Sequence, residues 1–178
     1  MWIQIKRIVR HRFAKGWRNY LSEDAMQRLT GQVSACEKVH GGEIRICIES
    51  SLPQSYLLRS ESMPAIIRQR ALAKFAKLRV WDTEHNNGVL IYLLVPERAI
   101  ELVADRGINA CVADNSWKKI VNGLQACLQK GQFEEGLRGA VLQVSSELST
   151  YFPLPGNGDG MNELPDRPDV GESDGSGN

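Results

Sequence analysis

The sequence lacks the cysteine and histidine clusters that mark metal-stabilised folds. Its four cysteines are Cys36, Cys47, Cys111 and Cys127, and none stands in a CxxC pair or beside a histidine at zinc spacing. Scattered cysteines of this kind are typical of buried, reduced thiols. We therefore expect neither a disulfide framework nor a structural zinc site.

Long apolar runs and common catalytic signatures are also missing. No apolar stretch approaches the roughly 20 residues of a membrane-spanning helix, and no secretory signal pattern opens the chain. The glycine-rich phosphate loops, the serine-hydrolase GxSxG and the metalloprotease HExxH do not occur. We expect no organic cofactor, and a cytoplasmic location that is peripheral to the inner membrane if the N-terminal segment binds lipid.

Charge is distributed unevenly along the 178 residues, although the net charge is only +1. Residues 1–20 carry six basic side chains and no acid, whereas residues 153–178 carry six acids and one base. The C-terminal stretch also has few large apolar residues, which is typical of disorder. The pattern predicts a basic amphipathic segment at 1–20, one α/β domain at 21–152 and an acidic disordered tail at 153–178.

The N-terminal segment has the pattern of an amphipathic helix. Large apolar residues fall on one side of a helical wheel, with basic residues around the rest. Tryptophans beside a basic face are typical of a helix lying in the interface of an anionic bilayer. The alternatives are a helix packed on the domain and a nucleic-acid-binding arm. The residues predicted to contact the membrane are Trp2, Ile5, Arg7, Arg10, Phe13 and Trp17.

An acidic loop followed by an apolar hairpin is predicted between Val80 and Asp105. Pro96 and Glu97 stand where a tight turn is expected, and this turn would pair Gly88 with Asp105. The register brings five oxygen-bearing side chains to one end of a sheet, which suits a hard cation such as Ca²⁺ or Mg²⁺. The alternative is a solvated structural turn, since Asn and Gly favour turns. The predicted ligands are Asp82, Glu84, Asn86, Asn87 and Asp105.

The middle of the chain alternates between helical and strand patterns. Residues 43–49 alternate cleanly, with three isoleucines on one face, and residues 88–95 are almost entirely apolar. A strand that is apolar on both faces needs helices on both sides. The pattern predicts a three-layer α/β/α sandwich whose mixed sheet has a central hairpin, with four main helices. The second of these helices is predicted to bury Ile67, Leu72, Phe75, Ala76 and Leu78.

Several short motifs stand in a fixed order along the chain. They are Gly42-Glu43-Ile44, Arg70-Ala71, Asn86-Asn87-Gly88-Val89-Leu90-Ile91, Glu101-Leu102-Val103 and Phe133-Glu134-Glu135-Gly136-Leu137. This series resembles the TPM domain family, which includes a thylakoid lumen acid phosphatase, a photosystem repair protein and many bacterial envelope proteins. The resemblance covers about residues 20–152. The WDTEHNNGVLIYLL and ADRGI stretches, and NELPDRP at 162–168, look like a bacterial subgroup of short members.

The resemblance implies an α/β/α sandwich and two functions of different classes. One is an accessory or interaction module at the membrane surface, with a LemA-type membrane protein as partner. The other is a metal-assisted acid phosphatase, a phosphomonoester hydrolase, because some members are described as phosphatases and some bind calcium. Ala104-Asp105-Arg106-Gly107 stands where many members have a Thr-Gly pair, and no paired nucleophile and base is evident. We therefore favour the interaction module. The neutral domain argues against nucleic-acid binding, and the oligomeric state is left open.

Overall fold

In the computed structural model, which describes residues 2–154 and 162–171, two fully buried strands form the centre of one mixed sheet. β1 (Ile44–Glu49) and β2 (Val89–Leu94) pair in parallel, with Ile44 opposite Val89. β3 (Ala99–Ala104) pairs antiparallel to β2, and the two-residue β4 (Asp169–Val170) pairs parallel to the other edge of β1. The strand order is β3-β2-β1-β4.

The described residues form seven α-helices around this sheet. The four longest of them are the four main helices that were predicted, and Ser22 caps the one that begins at Glu23 by accepting from the Ala25 N–H. No helix within 2–154 or 162–171 is both long and apolar enough to span a bilayer. The helices are α1 (Trp2–Arg12), α2 (Glu23–Glu37), α3 (Gln54–Leu57), α4 (Met63–Lys77), α5 (Arg106–Cys111), α6 (Asp114–Gln129) and α7 (Phe133–Tyr151).

Two hydrophobic cores lie on the two faces of the sheet. The main core contains the isoleucines of β1 and the apolar faces of α2, α6 and α7. The second core contains the other faces of β1 and β2, together with α3 and α4. Burying both faces of β2 explains why its sequence is apolar throughout. The predicted three-layer α/β/α sandwich is confirmed.

The hairpin forms in the predicted register but not at the centre of the sheet. The Asp105 N–H donates to the Gly88 carbonyl at 2.9 Å, as the pairing of these residues requires. β3, however, is an edge strand, and most of its residues are half-buried. β1 occupies the other side of β2, because α4 provides the crossover that two parallel strands need. β1 and β2 are therefore the central strands.

Part of the predicted disordered tail belongs to the domain. Residues 162–171 form a strap that lies along the edge of β1, buries Leu164 and contains β4. The Gly171 N–H donates to the Ile48 carbonyl at 3.1 Å. The prediction of disorder is wrong for the strap, because its few apolar residues are supplemented by backbone pairing. Of the remaining predicted tail, Pro153 forms an isolated bridge with His40, and residues 155–161 and 172–178 lie outside the described residues.

Candidate functional site

The predicted cation loop lies where the hairpin register places it, at one end of the sheet. Asn86 has a positive φ of 53°, and its carbonyl accepts from the Gly107 N–H at 2.9 Å. A Cβ at Gly107 would lie 2.6 Å from the backbone oxygens of His85 and Asn86. This close approach requires glycine and fixes the loop against the start of α5.

Two of the five predicted ligands are buried. Asn87 is 1% exposed and its Nδ2 donates to the Gly41 carbonyl at 2.7 Å. Asp105 is 9% exposed, and its Oδ1 accepts from the Arg106 N–H at 2.7 Å as the N-cap of α5. The remaining oxygens, Asn87 Oδ1 and Asp105 Oδ2, are buried and have no hydrogen-bond partner among the described residues. Burying an oxygen without a hydrogen-bond partner costs free energy, so each of these two atoms is expected to bind a partner.

The other three predicted ligands lie at the surface. The side chains of Asp82 and Glu84 are 54% and 79% exposed. Asn86 Oδ1 accepts from Arg106 Nε at 3.1 Å. Across the described residues, no group of three or more His, Cys, Asp or Glu side chains is placed to hold a metal ion. The structure thus places Asn87 and Asp105 in the interior, and Asp82 and Glu84 in water.

One side of α1 anchors the helix to the domain. His11 is buried, and its Nδ1 accepts from the Leu52 N–H at 3.1 Å, so the neutral ring carries its proton on Nε2. His11 Nε2 lies 3.3 Å from Glu97 Oε1, and Arg10 donates a hydrogen bond to Glu97 Oε2 at 2.8 Å. The contact with His11 and the charge of Arg10 hold the pKa of Glu97 below its ordinary value. Arg7 donates to two backbone carbonyls in the loop before α4.

The opposite side of α1 is an apolar ridge that faces away from the domain. Exposed Lys6 and Arg12 lie on either side of this ridge. A helix advances 100° per residue, so positions 2, 5, 9 and 13 point in nearly the same direction. The ridge consists of Trp2, Ile5, Val9 and Phe13, which are 77%, 47%, 50% and 79% exposed.

The six residues predicted to contact a membrane therefore divide into two groups. Trp2, Ile5 and Phe13 lie on the exposed ridge, whereas Arg7 and Arg10 are bonded to the domain. Trp17 is 7% exposed and lies in the main core, which contradicts its predicted membrane contact. The reason is that α1 ends at Arg12, so the helical spacing that grouped Trp17 with the ridge no longer applies.

A row of buried polar residues on β1 has no counterpart in the sequence-based predictions. An alternating strand usually has one buried and one solvated face, but every residue of β1 is buried. The polar residues share the face of the sheet that packs on α4. Together with the residue that precedes the strand, they are Glu43, Arg45, Cys47 and Glu49.

Glu49 is the centre of a buried charged cluster. Arg70 donates two hydrogen bonds to its carboxylate, at 2.5 and 2.9 Å, and the Tyr92 hydroxyl donates a third at 2.7 Å. Lys74 Nζ lies 3.3 Å from the same carboxylate. Burial opposes the ionisation of Glu49, but the hydrogen bonds outweigh it, and its pKa lies below the ordinary value. One sequence signal could have indicated this cluster. Arg70 and Lys74 stand four residues apart in α4, which follows a strand that ends in Glu49.

The strap completes this cluster. Lys74 Nζ lies 3.2 Å from Asp169 Oδ2, and the Cys47 thiol donates to the same oxygen at 3.3 Å. Burial raises the pKa of the Cys47 thiol, which therefore stays protonated and is a poor nucleophile. The cluster therefore holds two cations and two carboxylates in close contact, and these groups satisfy one another.

A family model described as the TPM domain matches residues 18–147. The chain is similar to the NMR structure of the BA42 protein from the psychrophilic bacterium Bizionia argentinensis, with a TM-score of 0.71 and 29% identity, over 85% of this chain and 96% of that one.

The fold is also similar to the solution NMR structure of the N-terminal domain of a protein from P. gingivalis. The TM-score is 0.58 and the identity is 19%, over 75% of this chain and 79% of that one. This likeness concerns the fold alone. A search of curated proteins gives no match.

Proposed function

This chain belongs to the TPM domain family, and we propose that it is an interaction module that attaches to anionic membrane surfaces through α1. The observation that carries the proposal is the apolar ridge of α1. The ridge is exposed on a helix whose opposite side is bonded to the domain through Arg7, Arg10 and His11.

The anchored helix is well suited to shallow insertion. Because α1 is already helical and held in place, binding does not require the helix to be ordered first. Each large apolar side chain that enters the acyl boundary contributes favourable burial, and each flanking cation near an anionic surface contributes about 1 kcal/mol. Lys6 and Arg12 are placed to make such contacts.

The cytoplasmic face of the inner membrane is the location that we propose for this attachment. A LemA-type membrane protein is the proposed partner there, and the family resemblance is its basis. Membrane attachment and partner binding are separable, since the ridge provides the first without the second.

Vesicle sedimentation tests the role of the ridge. Replacing Trp2 and Phe13 together by alanine should weaken binding to phosphatidylglycerol vesicles at least about tenfold, because burying one large apolar side chain contributes about 1.5–3 kcal/mol. The matched control replaces Trp81 and Tyr151, two exposed aromatic residues outside α1, and should bind as the unchanged chain does. Equal binding by all three proteins would contradict the proposal.

A second candidate function is binding of a divalent cation at the loop. Buried Asn87 Oδ1 and Asp105 Oδ2, which lack hydrogen-bond partners among the described residues, are the observation that favours it. Carboxylate and amide oxygens are ligands that Ca²⁺ and Mg²⁺ accept. Asn87 and Asp105 would hold the ion, with further oxygens from Asp82, Glu84 and Asn86 of the same loop.

The acid phosphatase alternative depends on this cation site. A bound ion would supply Lewis-acid polarisation of a phosphomonoester. Arg106 follows Asp105 directly in the sequence and donates to Asn86 Oδ1, and it would bind the phosphate. This alternative rests on family resemblance, and detection of the cation is its first requirement.

Thermal unfolding with added Ca²⁺ tests the cation site. Above the Kd, the unchanged chain should gain stability with the logarithm of the free Ca²⁺ concentration, by about 2.7 kcal/mol when free Ca²⁺ reaches about 100 times its Kd. Asp105→Asn should lose most of this gain while keeping a side chain that caps α5 well. Asp82→Asn should lose less, because Asp82 is exposed. A response of Asp105→Asn equal to that of the unchanged chain would place the ion elsewhere.

A further inference from the structure

The strap is bound to the domain in the way an extended peptide adds to the edge of a sheet. β4 continues the sheet beyond β1, with Cys47 opposite Asp169 and Ile48 opposite Val170. This is the geometry of peptide recognition by strand addition, in which backbone hydrogen bonds supply affinity and side-chain pockets supply specificity.

Two buried side chains of the domain bind the strap through its backbone. The Glu43 carboxylate accepts from the N–H groups of the second and third strap residues, at 3.0 and 3.2 Å. Arg45 donates to the carbonyls of Pro165 and Arg167. Backbone groups are common to all peptides, so these contacts suit an extended segment of any sequence.

The side chains of the strap supply selectivity. Leu164 is buried in the second core, and Pro168 is also buried. Asp169 meets Lys74, and Val170 packs against the main core. The side chains through which the strap contacts the domain therefore follow the pattern Leu-x-x-x-Pro-Asp-Val.

The strap does not use every group that the groove offers. Arg45 Nε and Glu37 Oε2 are buried without a hydrogen-bond partner among the described residues. The strap also brings Glu163 and Asp166 beside Glu43, and burial together with these two charges raises the pKa of the Glu43 carboxyl. An occupant without these acids, and with an acceptor for Arg45, would fit better than the strap does.

We propose that the groove between the β1 edge and α4 binds an extended segment of a partner protein that carries the Leu-x-x-x-Pro-Asp-Val pattern, and that the strap fills this groove in the free chain. The basis is charge complementarity. With the whole strap displaced, buried Lys74 keeps one anionic neighbour in place of two, and Arg45 loses both of its carbonyl acceptors. A partner segment must therefore present a carboxylate as well as a free backbone edge. This surface is separate from the ridge of α1.

A labelled peptide of sequence NELPDRPDVG, which copies residues 162–171, tests this groove in fluorescence polarisation with full-length protein. The strap competes at high effective concentration, so the unchanged chain should bind the peptide weakly. Asp169→Ala and Leu164→Ala each weaken the strap and should bind at least about tenfold more tightly. Arg167→Ala is the matched control, because the Arg167 side chain lies outside the groove, in an exposed ion pair with Glu23 that contributes little stability.

Amide NMR of the Leu164→Ala protein should show peptide-induced shifts at β1 and Lys74. A peptide with alanine at the position of Asp169 should bind at least about tenfold more weakly, since it cannot meet Lys74. Failure of both folded strap variants to bind the peptide, or equal binding of the two peptides, would overturn the proposal. Dimers that exchange straps without binding the peptide would also overturn it, in favour of a second copy as the occupant.

Discussion

Replacing Glu49 by alanine is expected to cost about 3–5 kcal/mol of the free energy of unfolding. The carboxylate is buried and receives hydrogen bonds from Arg70 and Tyr92, with Lys74 close by. Its removal leaves two buried or half-buried cations with Asp169 as their nearest anion in the cluster. Urea denaturation followed by circular dichroism at neutral pH measures this loss.

Lys74→Met is the informative companion to this substitution. It removes one cation and keeps an apolar stem of similar length, while Glu49 retains Arg70 and Tyr92 as partners. Asp169 loses its cation, but it is 26% exposed, so we expect a smaller loss than for Glu49→Ala, of about 1.5–3 kcal/mol. If Glu49→Ala loses no more stability than Lys74→Met does, the cluster is hydrated and contributes little to the free energy of unfolding.

Replacing Glu37 by glutamine is expected to change how stability depends on pH. Burial raises the pKa of Glu37 from 4.5 to about 9, although the Ile44 N–H donates to its carboxyl at 2.8 Å. A carboxyl whose pKa is raised by folding stabilises the native state fully below its unfolded pKa. That contribution is lost as the pH rises through the folded pKa. The unchanged chain should therefore lose stability between pH 5 and pH 9.

Glutamine stays neutral across this range and keeps a carbonyl for the Ile44 N–H. Glu37→Gln should be nearly neutral at pH 5 and more stable than the unchanged chain at pH 9, by a few kcal/mol as an order of magnitude, since one pKa unit corresponds to about 1.4 kcal/mol. Denaturation midpoints at several pH values measure the slope. Glu84→Gln is the control, because that side chain is 79% exposed. Parallel pH profiles for all three proteins would mean that Glu37 ionises freely in the folded chain.

The hairpin could be predicted from sequence because its determinants are local. An apolar run, a Pro-Glu turn and a second apolar run fix the pairing of Gly88 with Asp105, and that pairing is observed. The family resemblance covers the same segment and is confirmed by the matched family model. Local pattern was therefore sufficient for this hairpin, because its two strands are adjacent in the chain.

The buried charged cluster could not be predicted because its partners are distant in sequence. Leu72 and Ala76 were expected inside, but Leu72 is 45% exposed and Ala76 is also exposed, whereas Lys74 is buried on the same helix. Lys74 is held there by Glu49 and by Asp169, which lies 95 residues further along the chain. The strap was read as disordered for the same reason, since its order depends on Glu43 and Arg45.

The surface sites depended on details of helix length and side-chain direction. The wheel that grouped Trp17 with Trp2 assumed a helix as far as residue 20, but α1 ends at Arg12. In the loop, the register placed Asp82 and Glu84 near Asp105, but it did not determine that their side chains face water. Neighbouring positions in a loop can point in opposite directions, and sequence spacing does not specify which.

Amide NMR of isotopically labelled protein on anionic nanodiscs, with a paramagnetic label on the lipid acyl chain, tests membrane attachment most directly. We expect saturable line broadening confined to residues 2–13, strongest at the ridge of Trp2, Ile5, Val9 and Phe13, and absent on neutral nanodiscs. Broadening at α6 or α7 with α1 unaffected, or no broadening on anionic lipid, would contradict attachment through α1.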